Sequence, residues 1–99
     1  MRRLLDRRGE IVNPDAPWRL HPQVSVRPEP FGALLYHFGT RKLSFLKDRA
    51  LLDAVEALES APSARAALSD AGIPPERHET YLSALQTLVE SQMLEERAA

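Results

Sequence analysis

A chain of 99 residues has room for one domain built on one hydrophobic core, which rules out a second independent core. It contains no cysteine, so disulfides, thiolate-held iron–sulfur clusters and a thiol nucleophile are excluded, and the expected setting is reducing and cytoplasmic. The formal net charge of −1 hides a division: residues 1–47 carry nine basic and four acidic side chains, net +5, whereas residues 48–99 carry four basic and ten acidic, net −6.

Residues 1–17 are charged and rich in turn formers (Asn13-Pro14-Asp15, Ala16-Pro17), which predicts a flexible arm ahead of a domain over residues 18–97. Leu4-Leu5 is followed at once by Asp6, Arg7 and Arg8, too short an apolar run for a signal peptide. Nowhere do about eighteen apolar residues run together, so no membrane partner is expected. Five of the six aromatics (Trp18, Phe31, Tyr36, Phe38, Phe45) fall in residues 18–45, which places strands first and helices later.

Val24 and Val26 alternate with Gln23, Ser25 and Arg27, a period-2 strand that Pro28 and Pro30 are expected to end. Leu34, Tyr36 and Phe38 alternate with Ala33, Leu35 and His37 in a second strand. Leu43 and Phe45 mark a third over residues 42–47, joined to the second by Gly39-Thr40-Arg41 as an antiparallel hairpin. At Asp48, a candidate N-cap, the period becomes 3.6, with Leu51, Leu52, Val55 and Leu58 opposite Asp53, Glu56 and Glu59. Ser63 caps a short Ala-rich helix that Gly72 ends as its C′ residue. After Pro74-Pro75 a third and longest helix is expected over about residues 76–97, carrying Tyr81, Leu82, Leu85, Leu88, Val89 and Met93. These span an arc of about 140°, wider than docking on one core requires. The fold class is therefore α+β, a three-stranded antiparallel sheet followed by three helices, in the element order of a winged-helix domain.

That order raises a DNA-binding regulator as an alternative, and charge argues against it. The third helix has Arg77 and Arg97 against Glu76, Glu79, Glu90, Glu95 and Glu96, so a phosphate backbone would be repelled and no nucleic acid is expected. Catalytic and cofactor motifs are equally wanting. His78-Glu79 starts like a zinc-protease helix, but Leu82 stands where the second ligand belongs, and His21 and His37 are isolated. Ser44 has no glycine elbow, and Gly32 and Gly39 sit in no phosphate-loop context. The expectation is no enzyme, no metal and no cofactor.

Binding remains. An edge strand offers unpaired N–H and C=O groups to another chain, and residues 42–47 are bracketed by Arg41, Lys42, Lys47 and Arg49, which discourage self-pairing and attract an acidic peptide. The same side chains also fit plain edge protection, and Leu43, Phe45, Leu82, Leu85 and Val89 also fit a core.

WRLHPQV over residues 18–24 and RPEPFGALLYHFGTRKLSFLK over residues 27–47 resemble the MftB family of mycofactocin-system peptide chaperones, among the PqqD-like peptide-recognition elements. The likeness extends over about residues 18–94. It implies a winged-helix-like, PqqD-type domain that is not an enzyme. It also implies two partners, the leader of a ribosomally made precursor peptide and a radical S-adenosylmethionine maturase. The leader would lie as an added strand on the third strand, in a groove closed by the third helix. Carried over, this points to Lys42, Leu43, Ser44, Phe45, Leu46 and Lys47 on the strand and to Tyr81, Leu85 and Leu88 on the helix.

Overall fold

The computed structural model describes residues 12–97. In chain order these form β1 (Trp18–Leu20), β2 (Val24–Glu29), β3 (Gly32–His37), β4 (Leu43–Leu46), α1 (Arg49–Ala57), α2 (Ala64–Asp70), a 3₁₀ turn (Pro75–Arg77), α3 (His78–Glu90) and β5 (Leu94–Glu96). The fold is α+β, with antiparallel sheets and three helices. The expected meander is there as β2–β3–β4, and beside it stands a sheet the alternation did not announce, β1 paired antiparallel with β5.

Alternation fixes the sheet's two faces. Val24, Val26, Ala33, Leu35 and Leu46 turn towards the helices, where Ala33, Leu35 and Leu46 are buried; Leu34, Tyr36, Leu43 and Phe45 turn away. β2 continues through Pro28 to Glu29 rather than stopping at the proline. It is an edge strand, and proline is tolerated where the missing N–H would face outwards. The β3–β4 connection closes through Arg41, which adopts φ +66°, while His37 Nδ1 accepts from the N–H groups of Gly39 and Thr40 at 3.0 and 3.1 Å. Gly39 supplies space instead of a left-handed conformation: a Cβ there would stand 2.5 Å from Gln23 Oε1.

The helix boundaries follow capping chemistry. Asp48 Oδ1 accepts from Ala50 N–H at 2.8 Å, and Ser63 Oγ accepts from Ala66 N–H at 3.1 Å. α2 ends with Gly72 N–H donating to Ser69 O and Ile73 N–H to Leu68 O, a Schellman closure with Gly72 at φ +82°. The end of α3 corrects the expected helix over residues 76–97. Gln92 takes φ +66°, its N–H donates to Val89 O and Met93 N–H to Leu88 O, so the same closure forms without glycine. Met93 then leaves the helix for the core, and residues 94–96 pair with β1.

Of the expected arm, residues 1–11 lie outside the described residues, while residues 12–17 pack on the domain. Val12 and Ala16 are buried. Ala64 N–H donates to Ala16 O at 3.1 Å and Arg65 N–H to Pro14 O at 2.8 Å. Together with Ser63 these acceptors satisfy the first three N–H groups of α2, which a helix cannot pair internally.

Asp48 also joins the two halves of the chain, because Tyr81 Oη donates to its Oδ2 at 2.5 Å. That bond holds the Asp48 carboxyl below the usual carboxylate range, against the opposing effect of its partial burial, and raises the Tyr81 phenol above its ordinary value. Asp48→Ala removes a cap and leaves the part-buried Tyr81 hydroxyl without this partner, an expected loss of about 2 kcal/mol, or about 10 °C in the thermal midpoint. The wild-type stabilisation from this pair is complete above the ordinary carboxylate pKa of about 4 and is lost as pH falls through the lowered Asp48 value. At the alkaline end it is complete below about 10 and is lost as pH rises through the raised Tyr81 value. Melts of wild type and Asp48→Ala from pH 3 to 11 check this: the gap between them narrows towards both ends, and less at the alkaline end, where the Asp48 cap on Ala50 N–H remains.

Candidate functional site

The two edges of the three-stranded sheet are not equivalent. His37 N–H donates to Lys42 O at 3.0 Å, which makes residues 37 and 42 a hydrogen-bonded pair. In an antiparallel ladder such pairs alternate, so Ser44 and Leu46 bond inwards to Leu35 and Ala33, while Leu43 and Phe45 direct their N–H and C=O groups to the free edge of β4. Phe38 N–H donates across to Gln23 O at 2.8 Å, which by the same alternation turns residues 24, 26 and 28 of β2 outwards. There Val24 N–H is already bonded to His21 O and Pro28 has no N–H, so Val26 alone is left with an open donor. β4 can accept another strand, and β2 is nearly closed to one.

α3 lies beside the open edge. Ser44, Phe45 and Leu46 of β4, Leu51 of α1, and Ala84, Thr87 and Leu88 of α3 line a groove of about 290 Å³. A strand added to β4 would turn alternate side chains into this groove and the intervening ones to the outer face. Leu43 and Phe45, which as singles fitted a core as well as a groove, are 55% and 58% exposed on that outer face. Lys42 and Lys47 are exposed at either end of the strand, as are Arg41 and Arg49, which leaves a basic approach to an apolar groove.

On the helix side the expected residues separate. Leu88 forms groove wall. Tyr81 and Leu85 are buried, Tyr81 against Asp48 and Leu85 in the core at 1% exposure, and neither lines this groove. The wide apolar stripe of α3 is used by the core, in which Tyr81, Leu85, Leu88 and Val89 are all buried. Ala84 and Thr87 complete the wall and had not been expected. The signal for them is the 84-87-88 spacing along one helix flank, with a small side chain at Ala84 leaving the space.

Other features carry less. A larger cleft of about 610 Å³ includes His21, His37, Glu90 and Glu95, but these four side chains are engaged, Glu90 by Gln86 Nε2 at 3.1 Å. His21 Nδ1 accepts from Gln23 N–H, His37 Nδ1 from the loop amides, and Glu95 is paired with Arg19 at 2.5 Å. Among the described residues no three His, Asp or Glu side chains come together as a metal set, and no helix is long and apolar enough to cross a membrane. α3 carries Glu79 and Glu90 and neither Lys nor Arg, an unsuitable helix for a DNA groove.

The sequence was compared with known proteins. A profile of the Peptide chaperone MftB family matches residues 17–95. Over 82 residues the chain is 60% identical to the Peptide chaperone MftB of Mycolicibacterium smegmatis, covering 83% of this chain and 80% of that protein. It is 58% identical to the proteins of the same name from Mycobacterium ulcerans and Mycobacterium tuberculosis, covering 83% of this chain and 75% of each. No solved structure matches. The matched span runs from the residue before β1 to the middle of β5, taking in the open edge, the groove and the sheet that ties the termini of the domain together. The chain belongs to the Peptide chaperone MftB family.

Proposed function

We propose that this chain is a non-catalytic peptide chaperone of mycofactocin biosynthesis, which takes the leader region of a ribosomally made precursor peptide as an extra strand on β4 and presents the remainder to a radical S-adenosylmethionine maturase. The observation that carries this reading is the coincidence of an edge with unpaired groups at Leu43 and Phe45 and an apolar groove beside it. Main-chain hydrogen bonds supply affinity without regard to sequence. Side chains opposite Ser44 and Leu46 enter the groove and supply specificity. Arg41, Lys42, Lys47 and Arg49 favour a leader with acidic residues flanking its apolar ones. On this reading β2–β3–β4 and the three helices form a winged-helix-like, PqqD-type domain over residues 18–97, cytoplasmic and without a cofactor, with residues 1–11 free for another role. The names of the relatives agree with it.

Ordering a flexible leader costs about 2–5 kcal/mol of the gross interaction, which places the expected Kd near micromolar. Leu43→Asp sets a carboxylate at the mouth of the edge on a residue already exposed. Titration with the leader peptide is expected to show affinity lowered more than tenfold, with the melting midpoint within about 3 °C of wild type. A matching loss of fold, or unchanged affinity, would refute strand addition at this edge.

A further inference from the structure

The side of the sheet facing away from the helices carries a row of large apolar groups, of which the groove takes in only Phe45. Phe31 and Phe38 are 46% and 60% exposed, and Leu34 and Tyr36 lie half-buried between them, alongside Leu43 and Phe45. The rings are held in order: Tyr36 meets Phe38 edge-on at 5.1 Å, and Phe31 and Phe45 stand 6.3 Å apart around a hollow that Lys47 borders. A contiguous apolar face of this kind marks an interface more often than a bare surface.

We propose that this outer face is a second docking surface, for a folded protein with an apolar centre and an acidic margin. Resting on the reading above, that partner is the radical S-adenosylmethionine maturase. Charge selects the partner's chemistry. Arg41, Lys42 and Lys47 at its margins are cationic and exposed, whereas Arg27 on the face is paired with Glu29 at 2.9 Å and adds no net charge. A second copy set face to face would bring like charges together, which an acidic partner does not. The geometry also couples the two sites. A leader added at β4 continues this face, since its side chains opposite Leu43 and Phe45 point the same way. A protein docked there touches the leader as well as the sheet, so it binds the loaded chaperone better than the empty one.

The test uses the full chain, the purified maturase and the precursor peptide. Phe38→Asp and Phe31→Asp each put a carboxylate on an exposed site at a different end of the face. Interferometry is expected to show maturase affinity lowered tenfold or more in both, leader affinity for Phe38→Asp within twofold of wild type, and a gain of at least threefold in wild-type maturase affinity when the precursor is present. Unchanged maturase binding by both variants would overturn the proposal. If Phe38→Asp melts early, Phe31→Asp decides. Wild-type self-association that both variants abolish, or binding to anionic vesicles that they abolish, with maturase binding intact, would assign the face elsewhere and overturn it too. Failure of leader binding alone would instead sink the strand-addition reading, since the maturase arm is scored separately.

Discussion

Gly32→Ala is expected to lower the melting midpoint by about 15–30 °C and to disable the candidate binding edge in the same step. Gly32 opens β3 opposite Glu29, with φ +151°, a backbone conformation that other residues rarely adopt. A Cβ built there would stand 1.9 Å from Leu46 O and 3.1 Å from Asp48 N, both main-chain atoms with no side-chain freedom to yield. Relief requires β4 to move away from β3, which breaks the inward bonds of Leu46 and displaces the Asp48 cap. Strain and lost pairing together come to about 3–5 kcal/mol, a large part of what a domain of this size has. Gly72→Ala is the control. Its φ is +82°, yet nothing lies within 4 Å of the added methyl, so only backbone strain of about 1–2 kcal/mol is expected. Urea titrations of both variants check the contrast. Equal losses would mean that the contact with Leu46 is relieved at no cost.

Proline scanning of β4 is expected to separate binding from stability by a shift of one residue. Phe45 directs its N–H to the open edge, so Phe45→Pro keeps the β3 ladder and removes a donor that only an incoming strand would use. Compared with Phe45→Ala, which already lacks the ring, the proline variant should bind leader about 10–100-fold more weakly, because a peptide carbonyl is left unpaired. Its melting midpoint should stay close to that of the alanine variant. Ser44→Pro, one position earlier, deletes an inward bond to Leu35 and should cost about 3 kcal/mol of stability. If the two prolines act alike on fold and on affinity, the bonding phase assigned to β4 is wrong.

Much of this arrangement is legible in the chain. The change from period 2 to period 3.6 falls at Asp48, and the residues that make it visible, Leu43 and Phe45 before and Leu51 to Leu58 after, are local in sequence. The caps at Asp48, Ser63 and Gly72 are short-range hydrogen-bonding motifs, and they form where their residue types predict. The run over residues 27–47 also carries enough likeness to point to the family without any tertiary contact.

Tertiary structure decided the rest, and in each case a distant partner outweighed a local preference. Gln92 ends α3 in a conformation usually left to glycine, because doing so buries Met93 and delivers Leu94–Glu96 to β1, more than seventy residues away in the chain. Residues 12–17 read as arm, but the open N–H groups of α2 need their carbonyls. Alternation showed that Leu43 and Phe45 share a side of the sheet with Leu34 and Tyr36 without telling which side is covered, since both are apolar. The helices cover the side of Ala33, Leu35 and Leu46, where small and branched groups pack closely. The aromatic side stays exposed, and the β4 edge lies beside α3 with its donors free. Sequence alone determined the three-stranded meander, the presence of three helices, the caps at Asp48, Ser63 and Gly72, and the family. The choice of covered face and of open edge came from long-range packing, which no local pattern encodes.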